Sequence, residues 1–117
     1  MFVERLEDIA QRIEGAQALS LVAKDGIPVE SVSRDETIDL EILAAELMSQ
    51  VRAVAQNHED LSVGRVRHFA VTTDRLTLMV SRLTSDYYLL LVTLADSNAG
   101  KARYELRRAA LQFEGDL

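Results

Sequence analysis

The run from Tyr87 to Ala95, YYLLLVTLA, constrains the fold more than any other part of the chain. It contains no charge and no regular alternation of polar and apolar side chains, which is typical of a strand buried on both faces. It is also too short to cross a bilayer as a helix. We interpret it as the central strand of a sheet, and both faces of that sheet then need apolar helices from elsewhere in the chain.

The composition predicts one soluble globular domain that spans residues 1–117. The chain is 48% hydrophobic and 27% charged, which is typical of such a domain. The absence of cysteine excludes a disulfide framework and thiolate metal sites, and it fits a cytoplasmic location. The first residues, MFVERLEDIA, do not form a signal peptide. A net charge of −6 argues against nucleic acid as a partner and against membrane insertion.

The first third of the sequence predicts a helix and then a hairpin. Apolar residues recur at helical spacing on one face, and these are Phe2, Leu6, Ile9 and Ile13. Gly15 is expected to end this helix. Strands over Ala18–Lys24 and Val29–Ser33 flank Asp25-Gly26, a pair that favours a type I′ turn. Pro28 cannot donate a ladder hydrogen bond, so the second strand starts beside the turn or lies at an edge.

A longer helix is predicted from about Asp39 to Gln56, with Thr37 as its cap. Its apolar residues cover more of its surface than one contact with a sheet requires. Two interpretations remain open: a deeply buried core helix, or a helix that packs on the sheet and also on a partner helix. The main stripe consists of Leu40, Leu43, Leu47, Val51 and Val54, widened by Ile42, Ala44, Ala45, Met48 and Ala55.

Two further strands precede the central one, and a last helix follows it. The strands are predicted over Leu61–Thr73, where Gly64 suggests a bulge or a close backbone approach, and over Leu76–Leu83. The last helix is predicted from about Ala99 to Phe113, capped by Ser97 or Asn98. This helix has a basic face, which either binds an acidic partner or is an ordinary solvated surface. The face consists of Lys101, Arg103, Arg107 and Arg108. The element order is therefore α-β-β-α-β-β-β-α.

Taken together, these segments resemble the roadblock/dynein light chain family, and in particular its bacterial and archaeal MglB-type GTPase regulators. The resemblance rests on the hairpin LVAKDGIPVESV, the middle helix rich in Ala and Leu, the strand with Gly64, and DYYLLLVTLADSNAGKARYELRRA. It covers essentially the whole chain. The resemblance implies an α+β fold: a five-stranded antiparallel sheet with the first and last helices on one face and the middle helix on the other.

The resemblance also implies partners. Family members form homodimers in which the middle helices pair and the third strands meet edge to edge, and bacterial and archaeal members often bind a small Ras-like GTPase, as in a bacterial polarity switch. Because the middle helix has so wide an apolar surface, we predict a dimer interface formed by Leu43, Leu47, Met48, Val51, Val63, Arg65, Arg67 and Phe69. We predict a surface for the GTPase formed by Glu46, Ser49, Gln50 and Arg52.

No motif predicts an enzyme. Residues 95–102, ADSNAGKA, are a near miss for the phosphate-binding loop G-x-x-x-x-G-K-[ST]. Ala95 replaces the first glycine, and Ala102 replaces the hydroxyl that would bind Mg²⁺, so we expect no nucleotide binding. His58 and His68 lack the spacing of a metal pair, and no cysteine or elbow serine offers a nucleophile. We therefore expect no catalytic residue, cofactor or metal site.

Two classes of function remain. The first is a homodimeric interaction protein that binds a small Ras-like GTPase and activates it, exchanges its nucleotide or serves as its scaffold. The second is a small-molecule sensor or ligand-binding module. The first class predicts a wide apolar helix that seeks a partner, and the sequence has one. The second class requires polar groups that point into a cavity.

Overall fold

The computed structural model describes residues 2–60, 62–113 and 115–117, without the side chains of residues 57–60. The elements follow the predicted order: α1 (Val3–Gln11), β1 (Ala16–Ala23), β2 (Pro28–Ser33), α2 (Leu40–Asp60), β3 (His68–Thr72), β4 (Leu76–Arg82), β5 (Tyr87–Leu94) and α3 (Ala99–Phe113).

The five strands form one antiparallel sheet in the order β2-β1-β5-β4-β3. The predicted central strand is confirmed, because β5 lies in the middle and pairs with β1 and β4. Leu91 of β5 is aligned with Leu19 on one side and with Met79 on the other. Strand β5 is therefore enclosed by neighbours in the plane of the sheet, and it needs cover only above and below.

Helices supply that cover on both faces, as predicted. Successive side chains of a strand point to opposite faces, so Leu89 and Leu91 enter one core and Leu90 enters the other. Helices α1 and α3 cover the first face, with a core that includes Leu6, Ile9, Ile13, Ala102, Leu106, Ala109 and Phe113. Helix α2 alone covers the second face, with a core that includes Ala44, Leu47, Met48, Val51, Val22 and Val80.

The predicted hairpin is present, but its turn differs from the prediction. A type I′ turn needs positive φ at both central residues, and here only Gly26 has it (φ +94°). The N–H of Gly26 donates to the carbonyl of Ala23, and the N–H of Ala23 donates to the carbonyl of Ile27. The turn is therefore longer than the two-residue type I′ turn, and Gly26 takes the left-handed position at its end.

Helix α2 is longer than predicted and has a different cap. Thr37 was expected to cap it, but its hydroxyl and N–H both donate to the carboxylate of Asp35. The carboxylate of Asp39 instead accepts the N–H of Ile42 at 3.1 Å. An aspartate directly before the first helical residue satisfies a free N–H of the first turn, which explains why the helix begins at Leu40.

The strand predicted over residues 61–73 is wrong in its first half. Strand β3 contains only His68–Thr72, and Leu61 lies outside the described residues. Ser62 and Gly64 have φ values of +57° and +97°. These left-handed conformations cannot continue an extended ladder, so the chain turns where a bulge was expected at Gly64. Residues 62–67 therefore form a loop that leads to the edge of the sheet.

Candidate interaction surfaces

The two sides of α2 are chemically different. The inner side packs on the sheet, and it includes Leu47, which is only 6% exposed. The outer side carries mostly small and polar residues at helical spacing, together with Ile42, whose exposed fraction is 63%. We call this side the outer stripe of α2, and it consists of Ile42, Ala45, Glu46, Ser49, Arg52, Ala53 and Gln56.

The residues predicted for a dimer interface do not share one surface. Leu47, Met48 and Val51 are buried against the sheet of their own chain, so an interface role for them stays a prediction. Leu43 and Phe69 are half-buried and pack against the same core. Val63, Arg65 and Arg67 are exposed in the loop before β3. The large apolar side chain that α2 exposes is Ile42, which was not among the residues predicted for the dimer interface.

Strand β3 is an edge of the sheet. It pairs with β4 on one side, and none of the other described strands lies on its other side. Its Val71 is exposed on the face of the sheet that α2 covers. An edge strand presents unpaired N–H and C=O groups, which can accept another strand. Two surfaces are thus available to a partner. The outer stripe of α2 is partly apolar, and the edge of β3 offers unpaired hydrogen-bonding groups.

The four residues predicted for the GTPase surface are all exposed on α2. The guanidinium of Arg52 donates to the carbonyl of Lys24 at 2.9 Å, in the turn between β1 and β2. The ammonium of Lys24 lies 3.2 Å from the carboxylate of Asp86 in the turn before β5. Arg52 is therefore tied to the hairpin, whereas Glu46, Ser49 and Gln50 make no hydrogen bond or ion pair with the described side chains.

A groove of about 480 Å³ opens beside the N-terminal end of α2. Its wall is apolar and its rim is charged. The wall includes Ile38, Leu43, Leu76, Leu78 and Leu94, and the rim includes Asp35, Asp39, Glu46 and Arg75. The hydroxyl and N–H of Thr37 hold the pKa of Asp35 below its usual value, so this carboxylate is charged at neutral pH. This groove cannot be recognised from the sequence, because its residues come from segments far apart in the chain.

The described residues show little that resembles a catalytic site. Among them, no group of three His, Asp or Glu side chains could hold a metal ion, and no helix is long and apolar enough to cross a membrane. The near-miss phosphate loop serves as a helix start. The side chain of Asn98 accepts the N–H of Lys101 at 3.0 Å, so Asn98 is the one of the two predicted candidates, Ser97 and Asn98, that caps the last helix.

Sequence comparison identifies the family. A profile of the Roadblock/LC7 domain matches residues 2–93. No curated protein matches the sequence.

Solved structures agree with this assignment. MglC from Myxococcus xanthus is 34% identical, with a TM-score of 0.72, and the match covers 99% of this chain and 98% of that one. The gliding protein MglB from Thermus thermophilus is 22% identical, with a TM-score of 0.83, over 92% and 82% of the two chains. A Roadblock/LC7 domain from Streptomyces avermitilis is 19% identical, with a TM-score of 0.83, over 92% and 90%. The last two show the fold alone. The chain belongs to the Roadblock/LC7 domain family.

Proposed function

We propose that this protein is a homodimeric, non-catalytic interaction module that binds a small Ras-like GTPase and regulates it. The observation that carries the proposal is the outer stripe of α2, where an exposed isoleucine and small side chains cover a helix face that the sheet leaves free. Such a face suits an interface core better than a charged face does. The similarity to MglC over nearly the whole chain supports the proposal.

The outer stripe explains how two copies would meet. Ala45, Ser49 and Ala53 are four residues apart, so their small side chains lie along one line of the helix. A second α2 could approach closely along that line, and the edge of β3 could then meet the same edge of the other copy. In this arrangement Leu47, Met48 and Val51 support the interface from beneath.

The GTPase would sit across the paired helices. Only its switch segments differ much between the GTP and GDP forms, and a partner shifts an equilibrium only through its differential affinity for the two forms. We place Glu46 and Gln50 in this contact because they are exposed and make no ion pair with a described residue, whereas Ser49 would lie between the paired helices. Arg52 is tied to the carbonyl of Lys24, so it is no free arginine finger. Any faster hydrolysis would come from repositioning of the GTPase's own residues.

The test mixes the protein with the Ras-like GTPase encoded nearest to it, loaded with GDP or with a non-hydrolysable GTP analogue. We expect unequal affinities for the two forms, and a loss of about tenfold in the tighter one for Glu46→Arg. Glu14→Arg makes the same charge change on an exposed residue in the turn between α1 and β1, away from α2, and should have no effect. Equal affinities with unchanged hydrolysis and exchange would reduce the role to a scaffold. Absence of binding in both states would reject the proposal.

The groove beside α2 favours a second candidate, a small-molecule sensor. Its volume and apolar wall suit a compact ligand, and Asp35 and Arg75 on the rim offer charges of both signs. Native mass spectrometry of the purified protein separates the candidates. A ligand module would retain a small molecule that Leu78→Trp removes by filling the groove, whereas a homodimeric GTPase regulator would show twice the mass of the chain with nothing added.

A further inference from the structure

The layer formed by α1 and α3 carries opposite charges on its two helices. Its α1 side is acidic on balance: Glu4, Glu7 and Asp8 are all exposed, against Arg5, which pairs with Asp116, and Arg12 directly after the helix. Its α3 side is basic, with Lys101, Arg103, Arg107 and Arg108 all exposed, and the one acid of α3, Glu105, is buried. The acidic and basic faces lie next to each other on the face of the sheet opposite α2.

The two helices are antiparallel neighbours. The rings of Phe2 and Phe113 are 5.6 Å apart, which places the start of α1 beside the end of α3. The N–H of Leu94 donates to the carbonyl of Gly15, which places the chain after α1 beside the chain before α3. Because the helices lie side by side along their lengths, the acidic face and the basic face form two parallel bands.

Most of these charges have no ion-pair partner in the part of the chain that the structure describes. On this layer the described ion pairs join Arg5 to Asp116 at 2.6 Å and Arg108 to Glu105 at 3.9 Å. None of the other three α3 cations and none of the three α1 acids pairs with a described residue. An outside surface with complementary bands could therefore pair with them without breaking an existing contact.

The basic band also has an apolar centre. Tyr104 and Leu111 lie on the outward side of α3 and are 61% and 69% exposed. They are seven residues, or about two turns, apart, with Arg107 and Arg108 between them in the sequence. An aromatic and an aliphatic side chain with charges around them match the usual anatomy of a protein interface, with an apolar core and a polar rim.

We propose that the α1/α3 layer binds the same layer of a second copy. Two copies can face each other through a two-fold axis that runs parallel to the helices. This rotation places the acidic band of each copy over the basic band of the other, so the layer is complementary to itself. A two-fold axis perpendicular to the helices would instead place acid on acid and base on base, which is unfavourable.

The charge pattern favours a second copy over a polyanion. A flat anionic membrane or a nucleic acid that contacts Arg103 and Arg107 would also approach the acidic band of α1. A second copy meets both bands at once with the opposite sign. The contact lies on the face of the sheet opposite α2, so it does not depend on the proposed GTPase function.

The experiment reverses the bands separately and then together. One variant carries Arg103→Glu and Arg107→Glu, and another carries Glu7→Lys and Asp8→Lys. The third variant combines all four substitutions and therefore keeps the native net charge. A control with Lys24→Glu and Arg75→Glu makes the same charge change as the first variant on exposed residues near α2, outside the layer. Sedimentation velocity over a wide range of protein concentration measures the assembly of each protein.

We expect the native chain to show an association step that each separate reversal weakens by at least about tenfold, because attraction becomes repulsion at two symmetric copies of each site. The combined variant should recover the native association, and the control should retain it. The proposal is wrong if the native chain lacks a step that the reversals remove. Failure of the combined variant to recover would also overturn it, since a partner other than this layer would then bind the basic band.

Discussion

Gly26 lies in the β1–β2 turn, so close to α2 that no side chain fits between the turn and the helix. A Cβ at this position would lie 3.1 Å from the Cα of Ala45, and its φ is +94°. We expect Gly26→Ala to lower the free energy of unfolding by about 2 kcal/mol or more, because strain and crowding combine. Gly64→Ala is the matched control, since φ is +97° there but no atom lies within 4 Å. Its loss should be only about 1 kcal/mol in urea denaturation. Equal losses would show that the contact with α2 contributes nothing.

His68 lies on β3, on the face of the sheet that α1 and α3 cover. Its environment disfavours the protonated, charged form of the imidazole ring. Burial lowers its pKa below the ordinary value of 6.5, and the positive charge of Arg103 lowers the pKa further. A histidine with a lower pKa in the folded state makes the protein less stable as pH falls below 6.5, because the unfolded chain then binds more protons.

Proton NMR of a His58→Gln background, which leaves His68 as the one histidine, should therefore show a pKa below 6.5. Arg103→Gln should raise this pKa without restoring 6.5, because burial persists. A value above 6.5 in the native chain would contradict this account of the site.

Helix α2 should respond differently to truncation on its two sides. Leu47→Ala leaves a cavity under the helix and should lower the free energy of unfolding by about 2 to 4 kcal/mol at every protein concentration. Ile42→Ala removes an exposed side chain and should cost less than about 0.5 kcal/mol in the dissociated protomer. If Ile42 contributes to a dimer, the loss of unfolding free energy caused by Ile42→Ala should grow with protein concentration, because association stabilises the folded state by mass action. Chemical denaturation at several concentrations measures both effects. A concentration-independent cost for Ile42→Ala would exclude it from the dimer.

The elements that the sequence predicted correctly are those whose signals are local. The apolar run of β5 and the cap at Asn98 can each be read from adjacent residues, and both are confirmed. The long strand before β4 was wrong because Ser62 and Gly64 take left-handed conformations that apolar content does not reveal. The inner side of α2 could not be distinguished from the outer side, because Leu47 and Ala45 are both apolar and only the position of the sheet separates them.

At the scale of the whole molecule, the sheet separates two proposed assembly surfaces. The outer stripe of α2 lies on one side and the α1/α3 layer on the other, with two separate cores between them. Substitutions at distant sites without shared partners usually act additively. Ser49→Arg with Ala53→Arg places two cations in the line along which two α2 helices would meet, and it should abolish one association step. Arg103→Glu with Arg107→Glu should weaken the other by at least about tenfold.

We therefore expect a protein with both pairs of substitutions to be a folded monomer, and a protein with either pair to be a dimer. Light scattering gives the mass of each, and circular dichroism confirms that each is folded. If the Ser49 and Ala53 variant alone is already monomeric, then the α1/α3 contact forms only between existing dimers. The two surfaces would then be coupled, although the sheet lies between them.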